Sequence, residues 1–328
     1  MTEQQKNPTY PTLLAYRGIS YNGTLWLKGR LIEDNNLRKA KSGDWFWTNF
    51  RNTKRRFFAQ GLSKQTGTLT IEDFQTTFTT DDYGYFEIWL KGFYTTKIKN
   101  NYDCYWQFPE LNYQTRTKQN VYNPTPNTKL GVITDIDDTL VHTDVRYKSK
   151  IILKALVDNA FRKQPIRGAV EFFQHLLKNT PHKERAVFYA SRSPFELYDL
   201  LLQFFEINKF PKGPLLLRNI SREWNFAQKN FQKEQKFLSI KKIIELCQDM
   251  RFILIGDSSE KDALIYLTLA DLFPQRIARI YIREVTQNKG LNKLKKETRK
   301  YKHHKNLFFF KEYSQVERDA QLQGFIIP

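Results

Sequence analysis

Four aspartates lie within ten positions of the stretch GVITDIDDTLVHTD, which occupies residues 131–144. The chain has 53 Lys and Arg residues against 34 Asp and Glu residues, so a general excess of acid does not explain this cluster. Carboxylates this close repel one another unless a cation lies between them, and Mg²⁺ takes oxygen ligands of this kind. Aspartate is also common in turns. The stretch alone therefore allows two interpretations, a metal-dependent reaction site or a solvated turn.

Polar residues accompany three other apolar patterns later in the chain. Ser191 follows the run AVFYA, and Lys236 precedes the helical pattern FLSIKKIIELC. The run FILI is followed by GDSSEKD, which contributes Asp257 and Asp262. Together with the Asp-x-Asp-x-Thr pattern that starts at Asp135, this ordered set favours one reaction site over an isolated turn.

The apolar runs after residue 130 are short and alternate with helical patterns. The runs occupy residues 130–134, 186–190, 215–217, 252–255 and 277–282, and the helical patterns occupy residues 168–178, 194–205, 237–246 and 261–273. Short strands separated by helices predict an α/β fold with a parallel sheet and helices on both faces. Ligands of such sheets bind beyond the carboxyl ends of the strands, where these polar residues are expected.

The first hundred residues have a different pattern. Short β segments are predicted at residues 25–31, 66–71, 76–79 and 85–90, with a turn at residues 81–84. They predict a β-sandwich-like domain or a small barrel, interrupted by a more helical aromatic stretch at 45–58. The stretch NVYNPTPNT at 120–128 has two prolines and few apolar side chains, which indicates a domain boundary. We expect a polar tail at 1–9, a smaller β-rich domain at 10–125 with a basic aromatic helix, and an α/β domain at 126–328.

The formal net charge of +19 predicts a polyanionic partner, which could be nucleic acid, anionic lipid or a phosphorylated substrate. Cys104 and Cys247 show neither a disulfide framework nor a metal-ligand spacing, and a reducing, cytoplasmic setting fits them. The N-terminal residues lack the apolar core of a secretory signal. No stretch reaches the roughly 18 apolar residues that a membrane-spanning helix requires.

The ordered set of motifs resembles the haloacid-dehalogenase-like phosphatases, whose fold is a Rossmannoid parallel sheet with helices on both faces. The segments GVITDIDDTL, FYASRSPFELYDLLLQFF, FPKGPLLLRN and RFILIGDSSEKDALIY are similar to one branch, the catalytic domain of the actin-patch-type phosphatidate phosphatases. This resemblance covers most of residues 130–285. It implies that 126–328 is a phosphatase catalytic domain with a basic C-terminal segment, and that the substrate is phosphatidate or a related lipid phosphate.

The resemblance also implies a role for each motif residue. Asp135 matches the aspartate nucleophile, and Asp137 matches the general acid and base, which extended backbone would place on the same side. Ser191 and Lys236 would contact the phosphoryl group and its charge, with Thr139 and Arg192 as further substrate-binding candidates. The Mg²⁺ ligands would be Asp135, the backbone carbonyl of Asp137, and Asp257, with Asp262 supporting the site.

Some positions have other interpretations or depart from the family pattern. Asp138 is better explained as a turn or cap residue than as a ligand, and the five histidines have no convergent partner in the sequence. Arg192, Asn219 and Gln235 replace residues that are more usual in the family, which leaves the choice of substrate open. The same mechanism on a soluble phosphate ester or a nucleic-acid end, and a lipid-binding scaffold without catalysis, are the alternatives.

Two basic segments, at 38–56 and 289–305, concentrate the positive charge of the chain. Most charge runs are solvated surfaces. The aromatic residues beside the first segment favour a membrane interface, and no recognised nucleic-acid module is present. We therefore expect a phosphorylated lipid substrate and an anionic membrane surface as partners, and a cytoplasmic protein that is peripheral on membranes. The oligomeric state does not follow from the sequence.

Overall fold

The computed structural model describes residues 10–34, 59–95, 99–141, 164–178, 185–219, 229–259, 262–285 and 289–326. The chain forms two compact units. The first comprises Met1–Asn123, Phe195–Asp199 and Asn219–Asn225, and the second comprises Pro124–Pro194, Leu200–Arg218 and Phe226–Pro328. The predicted polar tail at 1–9, the basic segment at 38–56 and the aromatic stretch at 45–58 lie outside the described residues, as do His142 and His182.

The first unit is built from β-strands. Its described strands are β1 (Tyr10–Ala15), β2 (Gly18–Tyr21), β3 (Thr24–Asp34), β4 (Thr66–Ile71), β5 (Phe74–Thr79), β6 (Tyr85–Lys91), β7 (Asn101–Phe108) and β8 (Tyr113–Tyr122). They pair in the order β1-β3-β2-β8-β7-β4-β5, and β6 pairs with β3. Neighbours are antiparallel, except for the parallel pair of β2 and β8.

Alternation of side chains explains the core of this first unit. Buried and more exposed residues alternate along β4 and β7, so that Leu69, Ile71, Trp106 and Phe108 face the core. The predicted turn at 81–84 is present, and the Asp81 carboxylate accepts hydrogen bonds from backbone amides two and four residues later. The four β segments predicted from the sequence all lie within described strands, which are β3, β4, β5 and β6.

The second unit contains a parallel sheet. Its described strands are β9 (Leu130–Thr134), β10 (Arg185–Pro194), β11 (Leu215–Arg218), β12 (Arg251–Asp257), β13 (Ile277–Arg283) and β14 (Leu307–Phe310). Their order is β11-β10-β9-β12-β13-β14, and all neighbours are parallel. β9 and β12 consist almost entirely of buried residues, as expected for inner strands of a parallel sheet.

Helices connect or follow these strands. They are α1 (Ala169–Lys178), α2 (Tyr198–Ile207), α3 (Lys229–Leu246), α4 (Asp262–Leu272), α5 (Lys289–Thr298) and α6 (Tyr313–Leu322). Short 3₁₀ turns occupy Pro109–Leu111, Phe195–Leu197 and His304–Asn306. The predicted α/β class with a parallel sheet is confirmed. Within the described ranges, no helix combines the length and hydropathy that crossing a bilayer requires.

Several boundaries differ from the sequence prediction. α3 begins at Lys229, so Lys236 lies within this helix and not before it. The charged stretch KNFQKEQ lacks apolar periodicity, but Lys, Glu and Gln are good helix formers. β8 extends to Tyr122, so the first three residues of the predicted linker at 120–128 belong to a strand. β10 continues past Ser191 to Pro194. Its register with β11 shifts between Ala190, which pairs with Leu216, and Pro194, which pairs with Arg218.

Candidate active site

Three buried aspartates meet at the carboxyl end of the parallel sheet. Asp135 directly follows β9, and its backbone amide donates to the Ile255 carbonyl of β12 at 2.8 Å. Asp257 is the last residue of β12, and Asp262 is the first residue of α4. All three side chains are inaccessible to solvent, and each offers one carboxylate oxygen within 4.8 Å of the other two. The structure therefore brings together three of the predicted metal-site residues.

Lys236 reaches this cluster from α3. Its Nζ donates to Asp135 Oδ1 and to Asp262 Oδ1, each at 2.7 Å, and its side chain is only 1% exposed. Three ionised carboxylates against one ammonium group leave two net negative charges among these four side chains. Buried charge of this size is costly unless it is compensated. A divalent cation would compensate it, so the residues fit Mg²⁺ by charge and by donor type.

Gly256 allows the third aspartate to approach the sheet. A Cβ atom at Gly256 would lie 2.4 Å from Asp262 Oδ2, 2.8 Å from Asp262 Cβ and 2.9 Å from a ring carbon of Tyr266. The same Asp262 Oδ2 is buried and has no hydrogen-bond partner among the described residues. An oxygen in this position is suited to bind a cation, which agrees with the charge argument.

Asp137 lies on the β10 side of the site. Its Oδ2 accepts hydrogen bonds from Ser191 Oγ at 3.0 Å and from Ser193 Oγ at 2.9 Å, and the Ser193 backbone amide donates to Ser191 Oγ at 2.9 Å. Ser191 was predicted for this site, but Ser193 was missed. The Ser-x-Ser spacing was the available signal, because residues two apart in a strand point to the same side.

The loop after Asp135 is held by both side chains and backbone. Thr139 Oγ1 donates to Asp135 Oδ2 at 3.2 Å, which places Thr139 beside the predicted nucleophile. Asp138 has a left-handed backbone conformation with φ of 53°, and its amide donates to the Val141 carbonyl. These features agree with the predicted turn role of Asp138. Arg192, the remaining substrate-binding candidate, is half-buried between the two serines.

Tyr266 of α4 lies beside Lys236, but its hydroxyl is not suited to proton transfer. Its hydroxyl donates to the Ile255 carbonyl at 3.1 Å, and its ring centroid lies 6.0 Å from Lys236 Nζ. Burial, followed by the charge of Asp262, raises the pKa of Tyr266 well above its usual value. The hydroxyl therefore remains protonated at neutral pH.

The described histidines have partners away from the aspartate cluster. His175 pairs with Glu317 at 2.6 Å, His303 pairs with Asp271 at 2.7 Å, and His304 lies 2.8 Å from the Tyr301 carbonyl. These contacts support the structural or solvated roles that the sequence suggested for them.

Comparisons with known proteins agree with the sequence resemblance. Residues 130–284 match the family described as phosphatidate phosphatase APP1, catalytic domain. Phosphatidate phosphatase APP1 of Saccharomyces cerevisiae is 33% identical over 156 residues, which are 47% of this chain and 26% of that protein. An uncharacterized protein of Schizosaccharomyces pombe is 27% identical over 199 residues, which are 60% of this chain and 32% of that protein. The chain thus matches about a quarter to a third of the length of these relatives.

A carbohydrate acetylesterase of Xanthomonas citri is a similar solved structure, with 9% identity and a TM-score of 0.28 over 84% of this chain and 68% of that one. A similarity this low carries no argument about fold or function. The family match, in contrast, confirms the predicted resemblance for residues 130–284.

Proposed function

We propose that this chain, whose residues 130–284 belong to the phosphatidate phosphatase APP1 catalytic-domain family, is a Mg²⁺-dependent phosphatase with an aspartate nucleophile. Its proposed substrate is phosphatidate or a related lipid phosphate monoester, and the products are the lipid alcohol and inorganic phosphate. The observation that carries this proposal is the buried cluster of Asp135, Asp257, Asp262 and Lys236 at the carboxyl end of the parallel sheet.

The proposed Mg²⁺ ligands are the carboxylates of Asp135 and Asp257 and the backbone carbonyl of Asp137, with Asp262 in a ligating or supporting role. When bound, the ion would neutralise negative charge on the phosphoryl oxygens. The compact group of carboxylate oxygens supports this assignment, as does the buried Asp262 Oδ2 without a hydrogen-bond partner in the described part of the chain.

The proposed reaction has two steps. An oxygen of the Asp135 carboxylate forms a bond to phosphorus while the bond from phosphorus to the lipid oxygen breaks, and Asp137 gives its proton to that leaving oxygen. In the second step Asp137 takes a proton from water, whose oxygen attacks phosphorus. This attack breaks the phosphorus bond to Asp135, releases inorganic phosphate and restores both carboxyl groups.

The other predicted site residues would bind and orient the phosphoryl group. Lys236 compensates the charge of Asp135, and Thr139 fixes the other oxygen of this carboxylate. Ser191 and Ser193 each donate their one hydroxyl proton to Asp137 and hold this carboxyl group. The proposed hydrogen bond from Ser191 to a phosphoryl oxygen would replace its bond to Asp137 when substrate binds. Arg192 is the proposed determinant of substrate choice, because it lies in the same strand end as both serines.

We also propose the haloacid-dehalogenase-like fold for the domain at 126–328. Its support is the strand order, in which β9 with Asp135 lies between β10 with Ser191 and β12 with Asp257. The division into a tail at 1–9, a smaller β-sandwich-like domain at 10–125 and this catalytic domain remains part of the proposal.

The proposed partner is an anionic membrane surface, with the protein cytoplasmic and peripheral on the membrane. The segment 289–305 contains exposed cations in and after α5. Lys295 is half-buried, and its charge is paired with Glu284 at 2.5 Å, so we leave it out of the lipid-facing set. The exposed cations that would face lipid include Lys293, Lys296, Arg299 and Lys300. No specific nucleic acid is expected.

Sedimentation with lipid vesicles tests this partner. Each Lys or Arg near an anionic surface contributes about 1 kcal/mol, and salt screens the attraction over about 8 Å. We expect binding to vesicles with anionic lipid, weaker binding at high salt, and loss when the four exposed cations are replaced by Glu. Equal binding to neutral vesicles would contradict the proposal, as would salt-sensitive binding to single-stranded DNA with none to lipid.

A phosphate-release screen tests the activity. Purified protein with Mg²⁺ should release phosphate from phosphatidate faster than from sugar phosphates or polynucleotide ends. Asp135→Asn and Asp137→Asn should each abolish most of this release while the protein stays folded. Faster release from a soluble ester would support the alternative substrate class. Vesicle binding without release from any phosphate ester would support the scaffold.

A further inference from the structure

A residue beyond the matched family segment contacts the catalytic loop. Tyr313 is the first residue of α6, whereas the family match ends at residue 284. Its hydroxyl donates to the backbone carbonyl of Thr139 at 2.9 Å, and the bond is buried. Thr139 in turn donates its own hydroxyl to Asp135 Oδ2. Two hydrogen bonds and one residue therefore connect α6 to the proposed nucleophile.

Packing fixes the position of the Tyr313 hydroxyl. Tyr313 is 1% exposed, and its ring contacts those of Phe172 and Phe310, with centroids 5.5 and 5.3 Å away. Its Cβ is so close to Gly168 that a Cβ at that glycine would lie 3.2 Å away. Burial also raises the pKa of Tyr313 well above its usual value, so the hydroxyl remains a donor.

Further contacts fix the position of α6 within the second unit. The helix begins with a capping box between Glu312 and Gln315. Asp319 accepts two hydrogen bonds from Arg279 and one from the Tyr281 hydroxyl, which anchors α6 to β13. The Tyr313 hydroxyl is therefore delivered by a rigid element and not by a loose C-terminal segment.

The loop needs this support because its backbone is irregular. Asp138 is in the left-handed region, and residues 135–141 form turns rather than a continuous strand or helix. The structure holds two successive carbonyls of this loop with side chains: Arg283 donates to the Asp138 carbonyl at 2.8 Å, and Tyr313 donates to the Thr139 carbonyl. If the Tyr313 hydroxyl is removed, the Thr139 carbonyl loses this hydrogen bond in a buried position. The loss of a buried hydrogen bond is costly, so the loop is expected to move.

We propose that Tyr313 is a positioning residue for the reaction, because its hydroxyl fixes Thr139 and thereby the orientation of the Asp135 carboxylate. This proposal rests on the phosphatase function proposed above. It gives α6, which lies beyond the family match that ends at residue 284, a role in the reaction. Tyr313 acts through Thr139 and does not contact the substrate.

The test compares Tyr313→Phe with Tyr189→Phe. Each substitution removes the hydroxyl of a buried tyrosine that donates to a backbone carbonyl, and each keeps the ring, but the Tyr189 hydroxyl donates to the Pro211 carbonyl at 2.7 Å and not to the loop. The measurements are kcat and KM for phosphatidate in mixed micelles, the thermal unfolding midpoint, and hydrogen exchange of the peptide that covers residues 135–141.

We expect Tyr313→Phe to lower kcat roughly tenfold or more with little change in KM, because displacement of a reacting group on the order of 1 Å costs up to a hundredfold in rate. Amide exchange in residues 135–141 should become faster. Tyr189→Phe should shift the unfolding midpoint by a similar amount but leave kcat and loop exchange unchanged.

Equal kcat values in wild type and Tyr313→Phe, or equal losses of kcat in both variants, would overturn the positioning role and leave the phosphatase function intact. Unchanged loop exchange in Tyr313→Phe would also overturn it. A wild-type protein that releases no phosphate would instead refute the proposed function, and the exchange measurement would still report whether Tyr313 holds the loop.

Discussion

Gly256→Ala should disable the site through a steric effect on Asp262. The added Cβ would lie 2.4 Å from Asp262 Oδ2 and 2.8 Å from Asp262 Cβ. Non-bonded carbon atoms normally lie about 3.5–4.0 Å apart, so Asp262 must move by roughly 1 Å. Rotation of the carboxylate does not relieve the contact with its Cβ, and the start of α4 has to shift as well.

The size of this shift decides the expected effect. Asp262 Oδ1 now accepts a hydrogen bond from Lys236 Nζ at 2.7 Å, and a shift of about 1 Å would take it beyond hydrogen-bonding distance. Overpacking of this kind costs about 1–3 kcal/mol of stability. Activity should fall much further, by roughly a hundredfold, because one member of the carboxylate cluster leaves its position.

Gly131→Ala provides a matched control in the adjacent strand. Its added Cβ would lie 2.5 Å from a ring carbon of Phe252, a residue with which Gly131 is paired in the sheet, so the clash is similar but apolar. The assay combines thermal unfolding with initial rates of phosphate release at increasing Mg²⁺. We expect both variants to lose stability and only Gly256→Ala to lose most of its activity and to need more Mg²⁺. Wild-type kcat and Mg²⁺ dependence in folded Gly256→Ala would refute the assignment of Asp262 to the site.

Three further predictions address the charge, the metal and the buried thiols. Lys236→Met should lower kcat roughly a hundredfold, whereas Lys241→Met, which removes a half-exposed lysine of the same helix, should leave kcat unchanged. Equal kcat values in the two variants would exclude Lys236 from the mechanism. EDTA should stop phosphate release and added Mg²⁺ should restore it, and full activity after exhaustive chelation would exclude a metal site. Burial raises the pKa of the Cys104 and Cys247 thiols from 9.0 to about 12, so the free energy of unfolding should decline between about pH 9 and 12, where only the unfolded thiols ionise. Cys247→Ala should make this decline shallower, and an unchanged slope measured by denaturant titration would contradict the explanation.

Local patterns predicted the main part of the second unit. A parallel sheet buries both faces of its inner strands, so β9 and β12 appear in the sequence as continuous apolar runs. The polar residue that ends such a run then marks the carboxyl end of the strand. Asp135 and Asp257 were found in this way, and the structure places them in one cluster with Asp262 and Lys236.

Contacts between distant parts of the chain had no such signal. The Tyr313 hydroxyl and the Thr139 carbonyl are 174 residues apart, and nothing in the pattern around either residue indicates the other. Gly256 is required because the Asp262 side chain at the start of α4 lies against it. The sequence spacing between Gly256 and Asp262 does not predict this contact. Lys236 was assigned to a position before a helix because the charged first turns of α3 have no apolar periodicity.

Trapping of the phosphoenzyme shows directly whether Asp135 attacks phosphorus. Wild-type protein turning over phosphatidate labelled in its phosphate group is quenched in acid within the first turnovers, and the labelled residue is mapped by mass spectrometry. We predict label on Asp135 that hydroxylamine removes, as expected for an acyl phosphate, and no label in Asp135→Asn. Turnover without a labelled intermediate, or label on Ser191 or another residue, would show that Asp135 is not the nucleophile.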